Sequence, residues 1–144
     1  MKKTIFFLLC IYLLFFTSCS KKYTTESENK GNTEMEFRNI LWRLKSVETP
    51  DSLIVPDSSR IYTICFNNDT TFSGQNDCNT LSGFYHVPEN QVLIITAAGG
   101  TKAGCGRLSW SGFTEALYHA RSYSIDSSYF KIFYSGSSKM NFEK

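Results

Sequence analysis

The pattern of apolar and polar positions changes character three times along the chain, and each change marks a segment. Ile5 to Phe16 is an unbroken apolar run of twelve residues. From Ser20 to about Arg38 apolar side chains almost vanish. From Ile40 onward, short alternating stretches separated by turn residues take over. Ile40, Trp42 and Leu44 alternate with Leu41, Arg43 and Lys45, the period of a half-buried strand with the tryptophan facing in. Thr49 to Ser59, with two prolines, reads as a loop. Ile61 to Asn67 places Tyr62, Ile64 and Phe66 on one face, and Thr71 to Gln75 returns with Phe72 and Gly74 on a common face. Between them, Asn67-Asn68-Asp69-Thr70 is turn chemistry, because Asn and Asp bond their own main chain and tolerate left-handed backbone.

On the next strand Gly83, Tyr85 and Val87 share one face, which leaves Phe84 and His86 on the other. Gln91 to Ala97 is apolar on both faces and reads as a central strand. Ala98 to Arg107, with four glycines and Cys105, reads as a loop. One helix follows: Phe113, Ala116, Leu117 and Ala120 stand at i, i+3, i+4 and i+7. Ser109 or Ser111 is placed to cap its start and Arg121 to meet the negative end of its dipole. Strands return from Tyr123 to Asp126, through Phe130, Ile132 and Tyr134, and at Met140 and Phe142. The expectation is an α+β domain over residues 39–144: a curled antiparallel sheet of about seven strands, like a cracked barrel, packed on one helix. Gly74 and Gly83 interrupt strands, so a bulky neighbour such as Trp42 or Tyr85 is expected to pack over their bare backbone.

The first segment changes where this domain is expected to be found. Lys2 and Lys3 precede the apolar run, which is shorter than the roughly 20 residues needed to span a bilayer as a helix. It ends at Phe16-Thr17-Ser18-Cys19 and gives way abruptly to polar residues. This resembles a bacterial lipoprotein signal over residues 1–18, with cleavage before Cys19 and lipidation of that residue; an ordinary secretory signal is the alternative. Residues 19–38 then read as a flexible tether, with an end-to-end distance of ~24 Å. The expectation is a cell-envelope protein, held at the membrane, in the outer membrane, by its N-terminal lipid.

Charge narrows the partners. Loss of Lys2 and Lys3 with the signal leaves thirteen of the fifteen basic residues against thirteen acidic ones. A neutral chain lacks the electrostatic footprint of a nucleic-acid binder, so an envelope protein or a ligand is the expected partner. Of five cysteines, Cys10 leaves with the signal and Cys19 takes the lipid. Cys65, Cys78 and Cys105 remain, an odd number in an oxidising compartment, consistent with one disulfide and one buried thiol.

Several motifs in order resemble the META domain family: Trp42-x-Leu44, Phe66 with Gly74, Cys78-Asn79 with Ser82-Gly83-x-Tyr85, Thr101 ahead of Cys105, Phe113-x-x-Ala116-Leu117, and Phe142. The resemblance covers about Ile40 to Glu143. It implies a small envelope or secreted protein with a barrel-like fold and no assigned biochemical activity. It also implies a disulfide between Cys78 and Cys105, which would stabilise the fold by ~3.5 kcal/mol on the chain-entropy model. The family often has glycine before its first cysteine, where this chain has Asp77.

Nothing in the chain assembles catalytic chemistry. His86 and His119 have no cysteine or acid at ligand spacing, no Gly-x-Ser-x-Gly elbow is present, and Gly99-Gly100-Thr101-Lys102 lacks the spacing of a phosphate loop. No enzyme activity, cofactor or metal is expected. Phe84, His86 and Phe133 fall opposite the core, with Leu41 and Tyr129, and are the candidate binding surface; the alternative is that these aromatics flank a second buried layer or cover the far side of a cracked barrel. The reading is a structural or binding module in envelope maintenance or stress. The alternatives are an inhibitor of a lysozyme-like hydrolase, acting through Ser82-Gly83-Phe84-Tyr85 on a protruding loop, or a carrier of an apolar ligand in the barrel interior.

Overall fold

Backbone alternation and a few deliberate interruptions of it set the architecture. The computed structural model describes residues 37–89, 91–105 and 112–144. The signal, Cys19, most of the tether, and the capping serines Ser109 and Ser111 lie outside the described residues. Among the described residues nine strands and one helix run in the order β1 (Leu41–Glu48), β2 (Leu53–Ile54), β3 (Tyr62–Phe66), β4 (Thr71–Asn76), β5 (Asn79–His86), β6 (Ile94–Gly100), α1 (Gly112–Tyr118), β7 (Ala120–Ile125), β8 (Tyr129–Tyr134) and β9 (Ser138–Glu143). The described strands form one antiparallel sheet in the order β6-β5-β4-β3-β1-β9-β8-β7, with β2 pairing the end of β1. The α+β class and curled sheet are as expected; the described residues hold nine strands rather than about seven, and the two-residue β2 lies within Thr49 to Ser59, where the sequence suggests a loop.

The two ends of this order meet. Val92 bridges Ser122; the Leu93 amide donates to the Arg121 carbonyl (3.0 Å), and the Tyr123 amide donates to the Gln91 carbonyl (2.9 Å). The stretch from Gln91 thus joins β7 before β6 itself begins. β6 lies at the end of the hydrogen-bonded order, not at its centre. It carries Ile95 inward and leaves Ile94 exposed, and it runs through Ala98–Gly100, where the sequence suggests a loop.

Bulges aim the side chains. On β1, Trp42 and Leu44 face the core, a register shift lies between Leu44 and Ser46, and Val47 is the next residue buried. The helix is seven residues and stops at Tyr118, so Ala120 and Arg121 belong to β7 rather than to a last helical turn. It buries Phe113, Ala116 and Leu117, and Phe113 meets the rings of Tyr62 and Phe142. The Asn76 amide donates to the Thr114 hydroxyl at 2.9 Å and ties α1 to the end of β4. Tyr118, on the opposite side, uses its hydroxyl to pair both the N–H and the C=O of Ala98, supplying bonds that no neighbouring strand gives there.

Aromatic rings fill the interior. Phe37 lies 4.8 Å from Tyr123, 5.1 Å from Phe66 and 5.4 Å from Phe130, centroid to centroid, and its carbonyl accepts from the Trp42 indole at 2.9 Å. Phe37 is wholly buried and Arg38 bridges Phe66, so the packed domain begins ahead of residue 39. The strand glycines are covered differently from expectation. A Cβ at Gly74 would strike the Thr63 carbonyl; one at Gly83 would strike the Ala97 carbonyl and the Phe72 ring. The close neighbours are adjacent main chain and Phe72, not Trp42 or Tyr85.

Candidate functional site

Two surface features carry concentrated polar chemistry, and the first is built around the hairpin between β4 and β5. Asp77 holds a left-handed backbone (φ 60°), the conformation that favours glycine, and it occupies the position where the resembled family often has glycine. Asp tolerates this region better than most residues, and here its side chain gains a compensating role. Asp77 is only 7% exposed, and both carboxylate oxygens accept from one Arg60 nitrogen, at 2.8 and 3.0 Å. The same nitrogen donates to the Cys105 carbonyl at 2.6 Å. Cys78 is disulfide-bonded to Cys105, with Cα atoms 5.6 Å apart. Asn79 completes the clamp: its amide oxygen accepts from the Ala103 N–H (2.6 Å) and the Thr101 hydroxyl (3.0 Å), while its amide nitrogen donates to the Ala103 carbonyl (3.1 Å). The Asp77 carboxylate, one Arg60 nitrogen and the Asn79 amide all spend their bonds inside this cluster. It is a brace.

The second feature is a groove of about 600 Å³ on the outer face of β1, β3 and β4. Register explains its lining. Arg43 stands across from Thr63, and Thr63 across from Gln75; Leu41 stands across from Cys65, and Cys65 across from Ser73. Arg43, Thr63, Ser73 and Gln75 form the middle of the groove, Leu41 and Ile61 supply apolar walls, and Lys144 lines one edge with its ammonium over the Trp42 ring, 5.8 Å from the centroid. Thr63 points to this outer side yet is 7% exposed, and its hydroxyl has no hydrogen-bond partner among the described residues. The carboxylate nearest in register to Arg43 is Glu143, which gives its oxygen to Lys45 at 2.9 Å and does not line the groove.

The structure does not bring the expected surface residues together. Phe84 and His86 are exposed neighbours on β5, beside Ile94 of β6, whereas Phe133 is half-buried on β8, with β4, β3, β1 and β9 between them in the sheet order. Ser82-Gly83-Phe84-Tyr85 lies inside β5 rather than on a protruding loop. Cys65 is a free, half-buried thiol, and burial pushes its pKa above the ordinary 9.0. Among the described residues no group of three or more His, Cys, Asp or Glu side chains could hold a metal ion. No described helix is long and apolar enough to cross a membrane.

The brace, the two covered glycines and the aromatic core run together through residues 37–144, and the META domain family model matches residues 35–144. The chain belongs to the META domain family. Solved structures similar in fold to this chain include the following two. One is an NMR structure of a protein from Burkholderia xenovorans, 18% identical, with a TM-score of 0.61, covering 74% of this chain and 82% of that one. The other is a crystal structure of a DUF4847 family protein from Bacteroides vulgatus, 20% identical, with a TM-score of 0.55, covering 76% of this chain and 95% of that one. At these identities the likeness is one of fold. Among curated proteins none matches.

The groove of this META domain was missed by reading strands one at a time. Its signal was present, since β3 to β6 contain no Asp, Glu, Lys or Arg, but only strand pairing places Arg43, Thr63 and Gln75 side by side.

Proposed function

We propose that this META-domain protein is a non-enzymatic binding module of the bacterial cell envelope, anchored by lipid on Cys19 and acting through the outer face of its sheet. The observation that carries the reading is the contrast between a barrel interior filled by aromatic rings and an outer groove with unused hydrogen-bonding groups. An interior packed in this way favours a surface binder over a carrier of an apolar ligand. A brace whose groups satisfy one another favours rigidity over chemistry.

The test combines anchor and face in one cell. A photo-crosslinking residue is placed at Gln75, in the groove, or at Lys131, on β8. Adducts are expected from the first position and not from the second. Intact mass of the purified chain is expected to show acyl groups at Cys19, and Cys19→Ala is expected to move the protein out of the membrane fraction. Equal labelling from both positions removes the binding half of the reading; an unmodified Cys19 removes the anchor.

A further inference from the structure

Resting on the reading of the outer face as a binding surface, we propose that the groove takes an acidic polysaccharide, with one sugar carboxylate held by Arg43 and the ring hydroxyls held by Thr63, Ser73 and Gln75. Three observations converge. Arg43 is exposed in the groove and no Asp or Glu side chain lines it, so this end of the groove is electrostatically complementary to an anion. Thr63 is 7% exposed and lines the groove, and its hydroxyl makes no hydrogen bond with described residues, so it is available to a ligand hydroxyl or carboxylate. And the lining does not stop at the groove: Gln75 stands across from Thr80, and Ser73 across from Ser82, so uncharged hydroxyl and amide groups continue onto β5.

That continuation selects the polymer. Neighbouring strands lie ~4.8 Å apart, so a chain laid across β1, β3, β4 and β5 meets a new hydrogen-bonding side chain at roughly the repeat of a pyranose unit. Each sugar also presents an apolar C–H face, which Leu41 and Ile61 are placed to cover. A bare inorganic anion would use Arg43 and leave the hydroxyl row idle. An acidic peptide would gain nothing from the row's spacing, because the sheet is met on its face and its main-chain groups already pair along the ladder.

Residues 31–144 form one compact unit that contains the whole described core, so this unit is the reagent. Isothermal titration with tetragalacturonate is expected to show saturable binding that weakens with salt. Arg43→Gln is expected to reduce affinity at least about tenfold, and Thr63→Val several-fold, with unchanged melting temperatures. Arg43→Lys is expected to restore part of the loss, as a charge requirement demands. The neutral methyl ester of the same oligosaccharide, tetraglutamate and inorganic phosphate are expected to bind at least tenfold more weakly. Tetraglutamate or phosphate binding as tightly overturns the polysaccharide; the methyl ester binding as tightly overturns the role of Arg43. No tetragalacturonate binding at millimolar concentration, or wild-type affinity in Arg43→Gln, overturns the proposal. Groove-specific cross-links to a protein in the cellular experiment would leave the binding reading standing and end the glycan.

Discussion

The outer face of the sheet is two different surfaces. On β1, β8 and β9 it is charged: Arg43, Lys45, Glu48, Lys131, Lys139 and Glu143 all sit there. Lys45 pairs with Glu143 and Lys139 with Glu48, both at 2.9 Å, and the Asn141 amide donates to Ser46 (3.0 Å) and Glu48 (2.8 Å). On β3 to β6 the face is uncharged, and Ser73, Gln75 and Ser82 make no side-chain bonds with described residues. Cross-strand pairs hold the first surface together. The second is held from its end, by the disulfide and the Arg60–Asp77 contact, which leaves its face free to bind something else. Stability has been moved to the rim, away from the surface that offers its hydrogen bonds outward.

Removing the rim is the strongest way to break that contrast. Replacing Cys78 and Cys105 by serine opens a bridge spanning 27 positions, and the expected loss is about 3.5 kcal/mol in a denaturant titration. Asp77→Ala strands the Arg60 guanidinium and is expected to cost about 2–3 kcal/mol by the same measurement, discounted from a fully buried pair because Arg60 is partly exposed. Asp77→Gly is expected to recover part of this, since φ 60° suits glycine, but not all of it. Lys45→Gln, on the charged surface, breaks a pair with half-exposed partners and is expected to cost less than about 1 kcal/mol and to vanish in high salt. If it costs as much as the disulfide, the two halves are not held differently.

The smallest effect separates the halves by pH. The hydrogen bonds from Lys139 and then from Asn141 hold the Glu48 carboxyl below its ordinary 4.5. A folded-state pKa depressed in this way contributes stability that is present above 4.5 and is lost as pH falls through the lowered value. Glu48→Gln is therefore expected to flatten the acid limb of a pH–stability profile slightly and to leave tetragalacturonate affinity at neutral pH unchanged. A large change in that affinity would mean the two surfaces are coupled.

Much of the fold could be read from periodicity. Trp42 and Leu44, then Tyr62, Ile64 and Phe66, then Phe130 and Ile132 are inward where alternation places them, because a strand with one buried face has no other register open to it. Misreadings came where a short apolar run fits two structures. Ala120 continues the helical stripe of Phe113, Ala116 and Leu117, yet it also suits the first inward position of β7, and the chain turns at His119. Gln91 to Ala97 looks buried on both faces because its first residues join β7 and its later ones join β5. Of the candidate surface, Phe84 and His86 are exposed together, but no strand-by-strand reading could tell that β8 places Phe133 elsewhere.

The amino-acid order by itself determined which faces are greasy, where the chain turns and which residue types are available, since these depend on neighbours two to four positions apart. Only the tertiary structure decided that Arg43, Thr63 and Gln75 lie in one row, that Asp77 answers Arg60, and that a charge-free stretch becomes a continuous face. Those are pairings between residues far apart in sequence. Sheet register sets them, and register is fixed by the packing of the whole core.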